Sequence, residues 1–180
     1  DQKLITSASP LNRVTYQRLN NLGQLSVMQT GNLTPIYLSY EPHGLLKKIQ
    51  QGARTQEMFY DQNGRLSSQK NSLGQVEFYE YDAANRVTKK VLPGGQSILM
   101  SYDQDGNIKS IITPNKQTHS FLYSFLDKLS SYTAPALSLT DSTTTSYTYT
   151  PENNIKTIAK PDATTLVYNY NSGGLLGGIS

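Results

Sequence analysis

The side chains able to do chemistry are few. His43 and His119 are the only histidines and stand 76 residues apart. Neither has a carboxylate pair or a nucleophile beside it in sequence, which general acid–base or nucleophilic catalysis requires. His119, on the inward parity of its strand, reads as a packed polar residue. The lack of Cys removes thiolate nucleophiles, disulfides and Cys-ligated zinc. Asp103-Gln104-Asp105-Gly106 has the opening of a calcium loop but lacks the further oxygen ligands and the distal Glu. An Asx turn accounts for it, so no metal, cofactor or catalytic residue is expected. What remains is tyrosine, 13 of them against four Phe and no Trp, whose aromatic face and polar tip suit stacking on sugars.

The elements that hold these residues must be β. Ser, Thr, Asn and Gln number 19, 18, 13 and 13, while 16% of residues are charged, the colouring of extracellular β structure and not of a helical bundle. This favours a secreted or cell-surface setting. Disorder is opposed by the aromatic content. The net charge of +3 is spread along the chain without a Lys/Arg cluster, which excludes a nucleic-acid arm. No apolar run approaches the roughly 18 residues of a transmembrane helix. A chain that opens at Asp1, without Met or signal peptide, reads as excised from something longer.

Internal repetition organises the whole sequence. Tyr40, Tyr60, Tyr81, Tyr102, Tyr123, Tyr149 and Tyr170 are separated by 20, 21, 21, 21, 26 and 21 residues, and Leu19 extends the series backwards by 21. Four residues after each anchor stands Gly23, Gly44, Gly64, Asn85, Gly106, Asp127, Asn153 or Gly174, the types that tolerate a left-handed backbone. Two further on stands Leu25, Leu46, Leu66, Val87, Ile108, Leu129, Ile155 or Leu176.

Each column carries a structural meaning. Leu38, Met58, Tyr79, Met100, Phe121, Tyr147 and Tyr168 precede their anchors by two, with mostly polar residues between, so a half-buried strand leads into the anchor. Asp61, Asp82 and Asp103 follow three anchors and can cap their own turns through their side chains. A second strand then starts at the Leu/Ile/Val column. The next apolar column, Met28, Ile49, Ile111, Tyr132 and Ile158, comes three residues later and returns to the same face only through a bulge. Gly31, Gly52, Ser72, Pro93, Pro114, Pro135 and Pro161 end the strand. Such a unit cannot bury its apolar face alone; stacked units can. The expected architecture is all-β, antiparallel hairpin repeats of about 21 residues with essentially no helix. A four-bladed propeller is the geometric competitor. Residues 1–30 form a degenerate leading repeat or cap, and 31–180 the array, with a Ser/Thr-rich insertion near 136–145.

Tyr60-Asp61-Gln62-Asn63-Gly64-Arg65-Leu66, then Gly74 and Tyr79-Glu80-Tyr81-Asp82, resembles the YD repeat of the RHS/YD-repeat family. That family includes bacterial Rhs toxins, wall-associated proteins, toxin-complex shells and teneurins. The likeness is closest over 60–112, clear from about 34 to 176 and weak before 30, where only Leu11-Asn12-Arg13-Val14 hints at a further unit. It implies a continuous sheet wound into a spiral around a hollow compartment, often holding a toxin or effector. Ser124, Thr150 and Asn171 depart from the pattern by replacing its Asp. A self-cleaving D-P-x-G segment, known in relatives, is absent, since Pro161-Asp162 runs in the wrong order.

Two readings of function follow. In the first the chain is a wall segment, its partners being the remainder of the parent shell and an enclosed effector outside these residues. The Tyr anchors then act as a folding ladder, Lys47, Arg65, Arg86, Lys109, Lys128 and Lys156 face solvent, and replacing Arg65 or Lys109 costs little. In the second the chain is an extracellular carbohydrate-binding or adhesion module, with Tyr79, Tyr147 and Tyr168 on a cell-surface glycan; the rival choline- or glucan-binding hairpin repeats depend on Trp. An uncapped slice of an array also exposes strand edges, so self-association is expected, as is looseness at Ser172-Gly173-Gly174 and Gly177-Gly178.

Overall fold

The structure, a computed structural model, describes residues 4–8, 14–136, 138 and 142–180. The insertion near 136–145 lies partly outside these residues, and Leu11-Asn12-Arg13 wholly so. Among the described residues there is no helix; the segments between turns are strands. They fall into two compact units, 1–95 and 96–180.

The first unit holds β1 (Leu4–Ala8), β2 (Val14–Leu19), β3 (Leu25–Thr30), β4 (Ile36–Tyr40), β5 (Leu46–Gln51), β6 (Arg54–Tyr60), β7 (Leu66–Asn71), β8 (Val76–Tyr81) and β9 (Val87–Val91). The second holds β10 (Ser97–Tyr102), β11 (Ile108–Ile112), β12 (Thr118–Tyr123), β13 (Leu129–Thr133), β14 (Thr144–Tyr149), β15 (Ile155–Ala159), β16 (Thr165–Tyr170) and β17 (Leu176–Ile179). Within each unit every strand pairs antiparallel with its sequence neighbour. A propeller would break this ladder after every fourth strand, so the unbroken runs exclude it.

The hairpins share one register rule. Tyr40 faces Leu46 while Ser39 faces Lys48, so Lys47 is left unpaired as a bulge. The same skip falls at Ser26, Ser67, Thr88, Lys109, Ser130, Lys156 and Gly177. The bulge that returns the second apolar column to the anchor face is therefore present in each of them, including β2–β3, where Leu19 stands for the tyrosine. Three hydroxylated bulge residues serve the opposite strand: Ser26 and Ser67 donate through Oγ to the carbonyls of Arg18 and Phe59 at 3.1 Å each, and Thr88 to that of Glu80 at 3.4 Å.

The turns follow the sequence closely. Gly23, Gly44, Gly64, Asn85, Gly106, Asp127, Asn153 and Gly174 all have positive φ, from 56° to 96°. The residue after the anchor caps the turn wherever it is Asp, Asn, Ser or Thr, while Glu41 pairs with Lys47 instead. Asp61 Oδ1 accepts from the backbone N–H groups of Asn63 and Arg65 at 2.9 Å each, and Asp82 and Asp103 repeat the pattern. The departures from Asp keep the geometry with longer bonds at the hydroxyls: Ser124 Oγ accepts at 3.3 Å from Leu126 and Lys128, Thr150 Oγ1 at 3.3 Å from Asn154, while Asn171 accepts at 3.0 and 2.9 Å.

Burial is where the sequence reading needs correcting. Stacked hairpins with one apolar face predict buried columns; among the described residues only Met58 is buried, at 7% exposure. The Tyr anchors are half-buried, as are Leu46, Leu66, Val87, Ile108, Leu129 and Ile155. Each unit is a single layer of strands, so side chains shield one another sideways along the sheet, with no second layer within the unit to close over them.

Candidate functional site

The polar chemistry of the chain converges on the joints between hairpins. Five hairpins are tied to their predecessors by the anchor hydroxyl. Tyr40 donates to the Leu25 carbonyl at 2.8 Å, Tyr60 to Leu46 at 2.6 Å and Tyr81 to Leu66 at 2.8 Å. Tyr149 and Tyr170 do the same to Leu129 and Ile155, both at 2.8 Å. The acceptor is in each case the apolar residue next to the bulge, where the ladder is interrupted and a carbonyl needs a donor. Phe in that column would leave the carbonyl without this donor. Burial pushes the Tyr60, Tyr81, Tyr123 and Tyr149 hydroxyls above their ordinary values, with nearby Glu41 adding at Tyr60, Asp61 at Tyr81, Asp103 at Tyr123 and Tyr147 at Tyr149.

A second set of joints runs from turn to turn. Arg65 folds back on its own turn, Nε to Asp61 Oδ2 at 2.7 Å, and sends a guanidinium N–H to Asn85 Oδ1 of the next turn at 2.9 Å. Its guanidinium also lies 4.7 Å from the centroid of the Tyr81 ring. Gln24 reaches the Gly44 carbonyl at 3.2 Å, and Asn107 reaches Asp127 at 2.7 Å, each spanning 20 residues. Arg65 is therefore a clamp and not the solvent-facing cation expected from parity; its side chain is 25% exposed. Arg86 closes on Asp82 likewise, at 2.8 Å. The N–H bonds from Arg65 and Arg86 are the largest influence holding Asp61 and Asp82 below the usual carboxylate range; at Asp103, desolvation opposes and the N–H bonds prevail.

These joints are what a family pattern of Y-D-x-x-G-R-L encodes, and the sequence matches the Teneurin YD-shell family model over residues 2–180. The chain belongs to the YD-shell family. No curated protein sequence matches it. Among solved structures, TcdB2–TccC3 without its hypervariable C-terminal region is 18% identical, with a TM-score of 0.75 over 96% of this chain and 11% of that one. The TcdB2–TccC3–TEV crystal structure is 12% identical, with a TM-score of 0.72 over 99% and 11%. A Photorhabdus luminescens Tc holotoxin pore with mutated TccC3 gives 15% and 0.67 over 99% and 13%. Those likenesses establish the fold, and the chain spans about an eighth or less of their length.

The aromatic residues of the YD strands divide by face. Tyr79, Tyr147 and Tyr168 lie on the anchor face, half-buried. Tyr79 is held in a polar cluster that interrupts the apolar row. Its hydroxyl donates to Glu77 at 3.0 Å, Gln69 donates to both, Gln56 donates to Gln69 at 2.8 Å, and Lys90 pairs with Glu77 at 3.0 Å. Desolvation would raise the Glu77 carboxyl, yet the bonds from Gln69, Lys90 and Tyr79 outweigh it and leave it lowered. The aromatics more open to solvent are on the opposite face: Tyr16 and Tyr37, 45% and 51% exposed, with Phe59 and Phe78 beyond them.

His119 is packed as its parity requires, Nδ1 lying 2.7 Å from the Tyr132 hydroxyl with the rings stacked at 6.0 Å. His43 lies in a turn, exposed. The notch between two turns brings it alongside Glu41 and Asp61, residues that the repeat sets 20 apart. Both are committed, Glu41 to Lys47 at 3.3 Å and Asp61 to its turn and Arg65. Among the described residues no group of three or more His, Cys, Asp or Glu could hold a metal ion.

Proposed function

We propose that these residues are wall: a run of YD hairpins in a larger secreted shell that encloses or delivers an effector lying outside this chain. The observation that carries the reading is how the polar side chains are spent. The anchor hydroxyls of Tyr40, Tyr60, Tyr81, Tyr149 and Tyr170 and the Arg65 clamp join one hairpin to the next, the carboxylates of Asp61, Asp82 and Asp103 close their own turns, and none of these converges on a common point in solution. A wall needs joints of this kind, and an enzyme site needs the opposite, so we assign no catalytic activity to the segment.

The partners under this reading are the remainder of the parent shell and its enclosed effector. Within their units β1 and β17 each pair with one neighbour, β2 and β16, which leaves edges suited to further repeats or to a second copy of the chain. Protease protection in the complete polypeptide that carries these repeats provides the test. The effector segment should resist trypsin while the wall is folded and become sensitive once denaturant opens it. Digestion of that segment with the YD array still intact overturns enclosure.

A further inference from the structure

The repeat accounts for most tyrosines but not for Tyr16 and Tyr37. Both stand three residues before the anchor, where later units carry Glu57, Phe78, Leu99, Ser120, Ser146 and Val167, so the fold does not require tyrosine there. The two rings are open to solvent, 45% and 51% exposed. Among the described residues neither hydroxyl has a hydrogen-bond partner, whereas those of Tyr40, Tyr60 and Tyr81 are spent on carbonyls.

Register gathers them with further donors on one face. Tyr16 faces Gln29, while Arg18 faces Val27, which in turn faces Tyr37. Two strand spacings and one two-residue step separate the tyrosines, about 12 Å between their Cα atoms. They border a concavity floored by Val27 and Gln29, with Pro35 at the rim. Arg18 lines it too, is exposed, and has no ion-pair partner among the described residues. Two hydroxyls, a guanidinium and the Gln29 amide can all donate there, and no carboxylate lines the site. The ligand that complements it carries apolar rings, many acceptors, few donors and a negative charge.

A proline-rich peptide has that chemistry. Each proline brings a carbonyl and no N–H, and a polyproline II backbone makes no internal hydrogen bonds, so its carbonyls stay available to donors. Its rings dock on aromatic side chains, and being extended beforehand it loses little entropy on binding. About four residues at roughly 3.1 Å each span the two tyrosines. We propose that Tyr16, Arg18 and Tyr37 bind an acidic, proline-rich segment of a partner protein, the prolines against the two rings, the hydroxyls donating to its carbonyls and the guanidinium taking an Asp or Glu carboxylate. A peptide joining the sheet as a strand is opposed by topology, because β2, β3 and β4 each pair on both sides and offer no free edge. A nucleic acid also stacks on aromatic rings but needs cations along its backbone, and the concavity holds one. The proposal does not depend on the shell reading.

The test is an NMR titration of the 180-residue chain with an acetylated and amidated peptide of three Pro-Pro-Glu repeats. Three Ala-Ala-Glu repeats of the same charge, three uncharged Pro-Pro-Gln repeats and oligothymidylate are the comparison probes. The Pro-Pro-Glu peptide should bind saturably, shift the Val27 and Gln29 signals, and bind at least about tenfold more tightly than each comparison probe. Arg18→Gln should bring it down to the affinity of the Pro-Pro-Gln peptide. Tyr37→Phe should weaken it several-fold with an unchanged melting temperature, and Tyr37→Ala should abolish saturation. The proposal is overturned if the Pro-Pro-Glu peptide does not saturate the site, if the Ala-Ala-Glu peptide or oligothymidylate binds equally well, or if Arg18→Gln and Tyr37→Ala leave the affinity unaltered.

Discussion

Removing one oxygen atom at Tyr60 isolates the joint between hairpins. Tyr60→Phe keeps the ring, its shielding of neighbours and its β propensity, and deletes only the 2.6 Å bond to the Leu46 carbonyl. A neutral hydrogen bond contributes about 0.5–1.5 kcal/mol net. Water reaches the half-buried carbonyl only in part, so the expected loss is about 1 kcal/mol. The fall in Tm is about 4–8 °C if the unit of residues 1–95 melts by itself and about 2–4 °C if all 180 residues melt together. Tyr37→Phe is the control, because its hydroxyl is unpartnered among the described residues; its effect should stay within about 0.5 kcal/mol. The same bond has an alkaline signature. Burial, with Glu41 adding, raises the Tyr60 hydroxyl in the folded chain. That contribution is whole below about pH 10, the ordinary tyrosine value, and is lost as pH rises through the folded value. Thermal and urea melts at pH 7 and across the alkaline range should therefore show a gap between the wild-type and Tyr60→Phe chains that narrows above pH 10. Equal effects of Tyr60→Phe and Tyr37→Phe at pH 7 refute the joint.

Four other outcomes are open to the same melts. Met58→Ala should cost about 2–5 kcal/mol as a buried truncation, and Leu66→Ala roughly half as much because Leu66 is half-buried; the reverse order contradicts the single-layer description. Arg65→Ala should cost about 1–2 kcal/mol by releasing Asp61, Asn85 and the Tyr81 ring together, against little for the exposed bulge residue Lys109→Ala. Asp82, lowered chiefly by the Arg86 N–H bond, contributes stability that is present above its ordinary value and lost as pH falls through the depressed one. Asp82→Asn should therefore start lower at pH 7 and flatten the acid limb of the stability profile. Ala163→Gly should stabilise by about 0.5–1 kcal/mol, since Ala163 holds φ of 64°, where a Cβ is strained.

What the sequence made legible was local. The left-handed column from Gly23 to Gly174, the self-capping Asp61, Asp82 and Asp103, and the bulge implied by a three-residue step between apolar columns all depend on neighbours within one hairpin, and all are present. What it hid lies between hairpins. Arg65 looks outward by alternation, but alternation describes the backbone; a long side chain can turn along the edge to meet a residue 20 positions away. The anchor tyrosines read as ring pairs because sequence shows the ring in every unit and not the carbonyl that the bulge leaves needing a donor. Burial was overread for a related reason. Periodicity tells which residues share a face and is silent on whether anything covers that face, so one pattern serves a packed sandwich and a bare layer.

That silence also explains why Tyr16 and Tyr37 escaped a reading built on repeats. Aligning columns gives weight to what recurs, and what recurs is what the fold needs: the Tyr60 hydroxyl, the Asp61 cap, the Gly64 turn. The other units require nothing of a departure from the column, such as these two tyrosines where later hairpins place Glu57, Phe78, Ser120 or Ser146. The face opposite the anchors holds two unspent hydroxyls and one unpaired guanidinium around a single concavity among the described residues of β2, β3 and β4.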